Sequence, residues 1–107
     1  MKQNYKKIAV IGGGIMGTVL VRALIKTNSS EQILVCEKNK SHHKKLSKIN
    51  SRVKVTDNSV DCANADVIFL AVKPQDFNNV EFKINKGTLV CSIMAGVSIS
   101  KIQKKLK

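Results

Sequence analysis

The chain has 107 residues, 43% of them hydrophobic, which is enough for one buried core and too little for a second domain of ordinary size. Nineteen Lys and Arg face seven Asp and Glu, a formal charge of +12, but all except two of the cations are Lys and the aromatics are one Tyr and three Phe. Nucleic-acid binders add Arg and stacking aromatics to such a charge, so a Lys-rich solvated surface is expected and a nucleic-acid partner is not.

The opening MKQNYKK is basic, but the apolar run behind it is short and gives way to glycines where an export signal would continue its core. No segment approaches the roughly 18 uninterrupted apolar residues of a membrane span. Cys36, Cys62 and Cys91 lie far apart, with no CxxC pair and no metal-ligand spacing. They read as small buried residues of a reduced, cytoplasmic protein, and no metal is expected.

The first apolar run, IAVI (8–11), is continuous, β-branched and bounded by polar or Gly residues, as strands buried on both faces of a parallel sheet are. Gly12, Gly14 and Gly17 follow it in the spacing G-x-G-x-x-G and open a helix. In that helix Ile15/Met16, Val19/Leu20 and Ala23/Leu24 repeat every four residues as an apolar stripe, with Thr18, Arg22 and Lys26 facing elsewhere. A strand, a glycine turn and a helix in this order suit a pyrophosphate. Gly12 lets the chain leave the strand sharply, Gly14 lets the phosphates approach a backbone without a Cβ, and Gly17 lets the helix press on the strand. The amides of the first helical turn, about Ile15 to Gly17, then face the anion, aided by the helix dipole. A purely structural glycine joint is the alternative.

A second run, ILVC (33–36), ends in Glu37, about twenty residues past the glycines, where an acidic side chain can accept from both hydroxyls of an adenosine ribose. Lys38 follows, with Lys40, Lys44 and Lys45 behind it and no acid as far as Lys54. These cations either hold the extra phosphate of NADP or simply solvate a surface helix, whose thin apolar stripe is Leu46 and Ile49. His42 and His43 read as surface residues of that helix. RVKVT (52–56) alternates and suggests an edge strand; VIFLAV (67–72) and TLVCSI (88–93) look like buried strands again. SKIQ (100–103) fits a helix capping box, with Ile99, Ile102 and Leu106 on one face of a final helix that looks cut short. That face is expected to be an exposed apolar patch.

The order β-α-β-α-β with a glycine-rich first turn gives an α/β class: a Rossmann-type parallel sheet with helices on both faces, one dinucleotide-binding domain over residues 1–107. In such sheets ligands sit beyond the carboxyl ends of the strands, so the loop after 67–72 lies across a crevice from the glycines. Pro74 fixes the backbone there and holds Lys73 extended.

Three stretches, IAVIGGGIMGTVLVRAL, ADVIFLAVKPQDF and LVCSIMAGVSISKIQKKL, together resemble the amino-terminal domain of the Δ1-pyrroline-5-carboxylate reductase family. The resemblance implies an NAD(P)H-dependent reductase of proline biosynthesis. It implies that Ile11, Gly12, Gly13, Gly14, Ile15 and Met16 hold the pyrophosphate and that Glu37 sits at the adenosine ribose. Asn58 falls at a cofactor-contacting Asn, Ala71, Val72, Lys73 and Pro74 line the ribose and nicotinamide side, and Ile93, Met94, Ala95 and Gly96 pack near the nicotinamide. Two positions depart from the family. Ile15 stands where a polar residue is common, and Glu37 where members that favour NADPH have a small polar or basic residue. The choice between NAD and NADP is therefore open.

The family continues into a helical carboxy-terminal domain that supplies dimerisation and most of the site for the substrate, 1-pyrroline-5-carboxylate. No acid–base dyad or activated nucleophile is recognisable, so no catalytic residue is assigned and these residues alone are expected to bind cofactor without turnover. The alternatives are the cofactor half of an F420-dependent NADP reductase, which would be expected to lack the A-V-K-P-Q and M-A-G-V-S stretches, and a non-enzymatic nucleotide-sensing module.

Overall fold

The computed structural model describes residues 5–27, 30–85, 87–94 and 96–106. Ala95, one of the expected nicotinamide-side residues, lies outside them. Five strands, β1 (Tyr5–Ile11), β2 (Ser30–Cys36), β3 (Val53–Thr56), β4 (Val67–Leu70) and β5 (Leu89–Ser92), form one parallel sheet in the order β3-β2-β1-β4-β5. Among the described residues three helices accompany them: α1 (Ile15–Thr27), α2 (His43–Ser47) and α3 (Ile99–Leu106). Short 3-10 turns occupy Lys40–His42, Ser59–Cys62 and Pro74–Asn79.

The Rossmann-type reading of the sequence is borne out. Strand order runs outward from β1 in both directions, first through β2 and then through β4, which places the switch point between β1 and β4. Register makes the carboxyl ends level: Ile11 is opposite Cys36 and Leu70, Cys36 is opposite Thr56, and Leu70 is opposite Ser92. Loops leaving all five strands therefore start from one rim.

Alternate side chains of the central strands feed two cores, which is why their sequences are apolar without a break. Ile8 and Val10 join Val21, Leu24, Ile33, Val35 and Leu46 on one face. Ala9 and Ile11 join Leu34, Ile68, Phe77, Phe82, Ile102 and Leu106 on the other.

Three expectations are corrected. The apolar stripe of α1 is rotated: Gly17, Val21 and Leu24 face the sheet, while Ile15 is 84% exposed and Met16, Val19 and Ala23 also face outward. Gly17 sets this phase, because a Cβ there would stand 1.8 Å from the carbonyl oxygen of Gly12. Only the Gly17 line can lie on the strand, and bulkier neighbours are turned away. Second, β5 is not buried on both faces; it is the outer strand of the order and Leu89 is exposed. Third, α3 begins at Ile99 and its cap is Ser98, whose Oγ accepts from the Lys101 amide at 3.1 Å, rather than Ser100. Ile102 and Leu106 are buried against Phe77 and its neighbours, leaving Ile99 alone exposed, so the expected three-residue patch is not formed.

Candidate functional site

A cleft of about 680 Å³ opens at the switch point, above the carboxyl ends of β1, β2 and β4. The glycine turn forms one wall through Ile11, Gly12, Gly14, Ile15 and Met16. The segment after β2 supplies Glu37 and Lys38, and the segment after β4 supplies Ala71, Val72 and Lys73. Ten residues expected at a cofactor site from widely separated stretches thus surround one space.

Each glycine of the motif has a distinct local reason. Gly12 adopts φ +108, a backbone that side chains rarely tolerate, and a Cβ would lie 2.8 Å from the Ala71 carbonyl; it brings the end of β1 against the loop after β4. Gly17 carries the helix contact described above. Gly14 is different, because a Cβ there would meet nothing within 4 Å. Space is kept at Gly14 on the cleft side although no protein atom fills it, which suits a group entering from the cleft. The first amides of α1 have no intrahelical acceptors and form a ready anion site beside it, with Thr18 closing the turn through its amide to the Gly14 carbonyl at 2.8 Å. The open cradle and these donors fit a pyrophosphate.

Glu37 does more than the sequence suggested. One carboxylate oxygen accepts from the Gly13 amide at 2.8 Å and the other from the Asn39 amide at 3.0 Å. The side chain thereby ties the glycine turn to the start of the next segment while still lining the cleft. Gly13 has a role no motif had given it: a Cβ would collide with Leu46 Cδ1 at 2.7 Å and crowd Glu37 Oε1 at 3.1 Å. The two histidines, expected as bystanders, also converge here. His42 Nδ1 is 3.7 Å from Glu37 Oε2, and His43 Nε2 reaches the Glu37 carbonyl.

Asn58 is exposed and its side-chain oxygen accepts from the Val60 amide at 3.1 Å, capping the turn Ser59–Cys62; its neighbour Ser59 lines the cleft instead. Pro74 opens the turn Pro74–Asn79, and Lys73 before it is extended, at φ −65 and ψ 145. That turn brings Asp76 and Asn79 to the cleft, two polar residues without a sequence signal of their own. After β5, Ile93 and Gly96 are exposed, whereas Met94 is buried and lines a second hollow between β5 and α3.

The cysteines are not independent. Cys36, at the end of β2, lines the cleft, and Cys62 is buried in the same core cluster. Interaction with the Cys62 thiol and the Lys38 charge draw the Cys36 thiol below its ordinary range against the effect of burial; interaction with Cys36 and burial push Cys62 up. No cluster of three metal-binding side chains occurs among the described residues. Nor is any helix among them long and apolar enough to cross a membrane.

A parallel sheet with a glycine turn at its switch point, an open cradle before a helix and an acid at the end of the second strand defines a Rossmann-type nucleotide-binding domain. Residues 7–96 match the family described as NADP oxidoreductase, coenzyme F420-dependent, and the chain belongs to that family. A pyrroline-5-carboxylate reductase from Synechocystis sp. is 38% identical over 104 residues, covering 92% of this chain and 39% of that protein. A solved pyrroline-5-carboxylate reductase from Coxiella burnetii is 29% identical with a TM-score of 0.74, covering 99% of this chain and 40% of the other. Prephenate dehydrogenase from A. aeolicus, solved with hydroxyphenyl propionate and NAD+, shares the fold at a TM-score of 0.79 and 14% identity. The chain spans about 39% of the length of the Synechocystis relative.

Proposed function

We propose that this chain is the NAD(P)H-binding domain of a reductase that converts 1-pyrroline-5-carboxylate to L-proline. The observation that carries the proposal is the glycine turn at the switch point, with Gly14 facing open space beside the unpaired amides of α1. Relatives named as pyrroline-5-carboxylate reductases lie over almost the whole chain and supply the substrate class.

In this reading a reduced nicotinamide supplies hydride to the C=N bond. The residues of this chain bind and orient. Gly12 to Gly14, with the amides of Ile15, Met16 and Gly17, take the pyrophosphate. Glu37 and Lys38 flank the adenosine ribose, and Ala71, Val72, Lys73 and Pro74 line the route toward the nicotinamide. Beyond the cleft lining, the resemblance assigns Asn58, Ile93, Ala95 and Gly96 to the cofactor side; Met94, buried at the second hollow, is not counted with them. Holding an imine carbon against the nicotinamide is a positioning task for groups outside these residues, so the chain alone binds without turnover, in the cytosol.

Calorimetric titration with NADH and with NADPH tests this. Saturable binding of either supports the proposal, and binding of neither removes it. The family description favours a second reading, an F420-dependent NADP reductase. A full-length protein that oxidises NADPH with pyrroline-5-carboxylate, and leaves F420 unreduced, separates the two.

A further inference from the structure

We propose that His42 is a specificity-determining residue of the nucleotide site: its charged ring offsets the Glu37 carboxylate and admits a 2′-phosphate, which the neutral ring leaves excluded. The inference deepens the function proposed above and rests on it.

The short segment after β2 builds the arrangement. Glu37 Oε2 accepts from the Asn39 amide at 3.0 Å, and Asn39 Oδ1 in turn accepts from the Ser41 amide at 3.0 Å and the Ser41 hydroxyl at 2.7 Å. The His42 amide then closes the turn Lys40–His42 on the Asn39 carbonyl at 3.0 Å. Main-chain bonds therefore run from the carboxylate to the residue that bears the ring. His42 Nδ1 stands 3.7 Å from Glu37 Oε2, and the half-exposed side chain borders the cleft beside Glu37 and Lys38. Its Nε2 has no protein partner among the described residues and is left for a ligand. His43 differs, because its Nε2 is engaged by the Glu37 carbonyl and it does not border the cleft.

Charge decides what this pair accepts. A ribose 2′-hydroxyl donates to the carboxylate, whereas a 2′-phosphate in the same place sets two negative groups together. The Gly13 and Asn39 amides hold Glu37 where it is, so relief has to come from a neighbour. Imidazole is the side-chain class that changes charge between about pH 5 and 8. Charged, His42 pairs with Oε2 and offers Nε2–H to the phosphate as a charge-assisted donor; neutral, it leaves the carboxylate unopposed. The other charged or titratable groups near it are Lys38 after β2, Lys40 and His43 on either side, Lys45 three residues on, and Asp57 after β3, which Lys40 meets at 3.7 Å. Lysines and carboxylates as classes carry a constant charge over that range. Selection for NADP+ against NAD+ accordingly rises as pH falls, and NADP+ binding takes up a proton.

The chain, His42→Gln and His42→Lys are titrated calorimetrically with NAD+ and NADP+ at about pH 8 and about pH 5.5. The oxidised nucleotides are used because reduced nicotinamides decompose in acid. On acidification the preference for NAD+ is expected to narrow about fivefold more in the unmodified chain than in His42→Gln. Protonation of the 2′-phosphate itself, near about pH 6, is common to both proteins and cancels. His42→Lys, with a permanent charge, is expected to show the narrowed preference already at about pH 8. A loss of folded protein lowers the binding of both nucleotides alike and leaves their ratio unmoved. Equal narrowing in the unmodified chain and in His42→Gln overturns the assignment, as does a His42→Lys protein that keeps the original preference at about pH 8. Either result, with NAD+ still bound, leaves the nucleotide reading intact; binding of neither nucleotide removes that reading and this inference with it.

Discussion

At the scale of single residues, the three motif glycines separate structural need from ligand need. Gly12 and Gly17 are required by the protein itself, one by a positive φ against Ala71 and the other by a helix that leaves no room for a methyl group. Gly17→Ala is expected to cost at least about 1–3 kcal/mol, because backbone blocks the new methyl, and to lower the melting temperature accordingly. Gly14→Ala adds a methyl into open space and leaves the melting temperature unchanged, but it weakens dinucleotide binding about tenfold or more. Thermal melts and calorimetry on the two variants give this crossed pattern; a Gly14→Ala protein with intact affinity would mean that no ligand uses the cradle. Glu37 combines both needs. Its carboxylate is fixed by the Gly13 and Asn39 amides, so it cannot swing aside for a 2′-phosphate, and NADH is expected to bind more tightly than NADPH. Glu37→Gln loses an acceptor facing an amide, costs about 1–3 kcal/mol of stability, and narrows the NADH preference by removing the charge. Equal affinity of the unmodified chain for the two cofactors would overturn the assignment.

Elements were legible where period and chemistry agreed, and less so where packing chose the phase. Continuous β-branched runs marked four strands and alternation marked β3 as an edge, but the run of β5 overstated its burial, since β5 closes the other edge of the sheet with Leu89 exposed. The stripe of α1 was misplaced because hydropathy sees Ile15, Met16 and Val19 but not the contact of Gly17 with Gly12, which fixes the rotation. Similarly, Ser100 with Gln103 has the letters of a capping box, yet the backbone places Ser98 at the cap. The cleft residues came from their strand ends, whereas Asp76, Asn79 and Ser59 arrive on 3-10 turns that carry no periodic signal. That Cys36 and Cys62 share one buried cluster was invisible, because it depends on topology rather than spacing. For α3 the consequence is measurable. Ser98→Ala is expected to destabilise by about 1 kcal/mol and Ser100→Ala by much less. Leu106→Ala, at a fully buried position, is expected to cost about 2–5 kcal/mol. Denaturant unfolding of the three variants ranks them; equal losses for the two serines would place the cap elsewhere.

On the scale of the whole molecule, the formal charge of +12 bears on how an anion reaches the cleft. The acid-free run from Lys38 to Lys54 begins at the cleft wall, where Lys38 stands beside the space at the carboxyl rim. One of its cations, Lys40, is 3.7 Å from Asp57 in an exposed pair that water screens and that leaves the local field positive. A dinucleotide carries its charge on phosphates, and the glycine turn binds them with backbone dipoles rather than side-chain cations. The lysines therefore act over distance, on encounter, more than on the bound state. Their field extends about 10 Å at 0.1 M salt and about 3 Å at 1 M. Stopped-flow association is accordingly expected to slow as salt rises, more steeply for NADPH with its extra phosphate, while the dissociation rate changes little. Lys38→Gln with Lys44→Gln and Lys45→Gln should flatten that dependence without altering the melting temperature, since all three side chains are exposed. If association proved independent of salt, the charge would serve solubility alone, and the phosphates would find the amides of α1 without guidance from the surface.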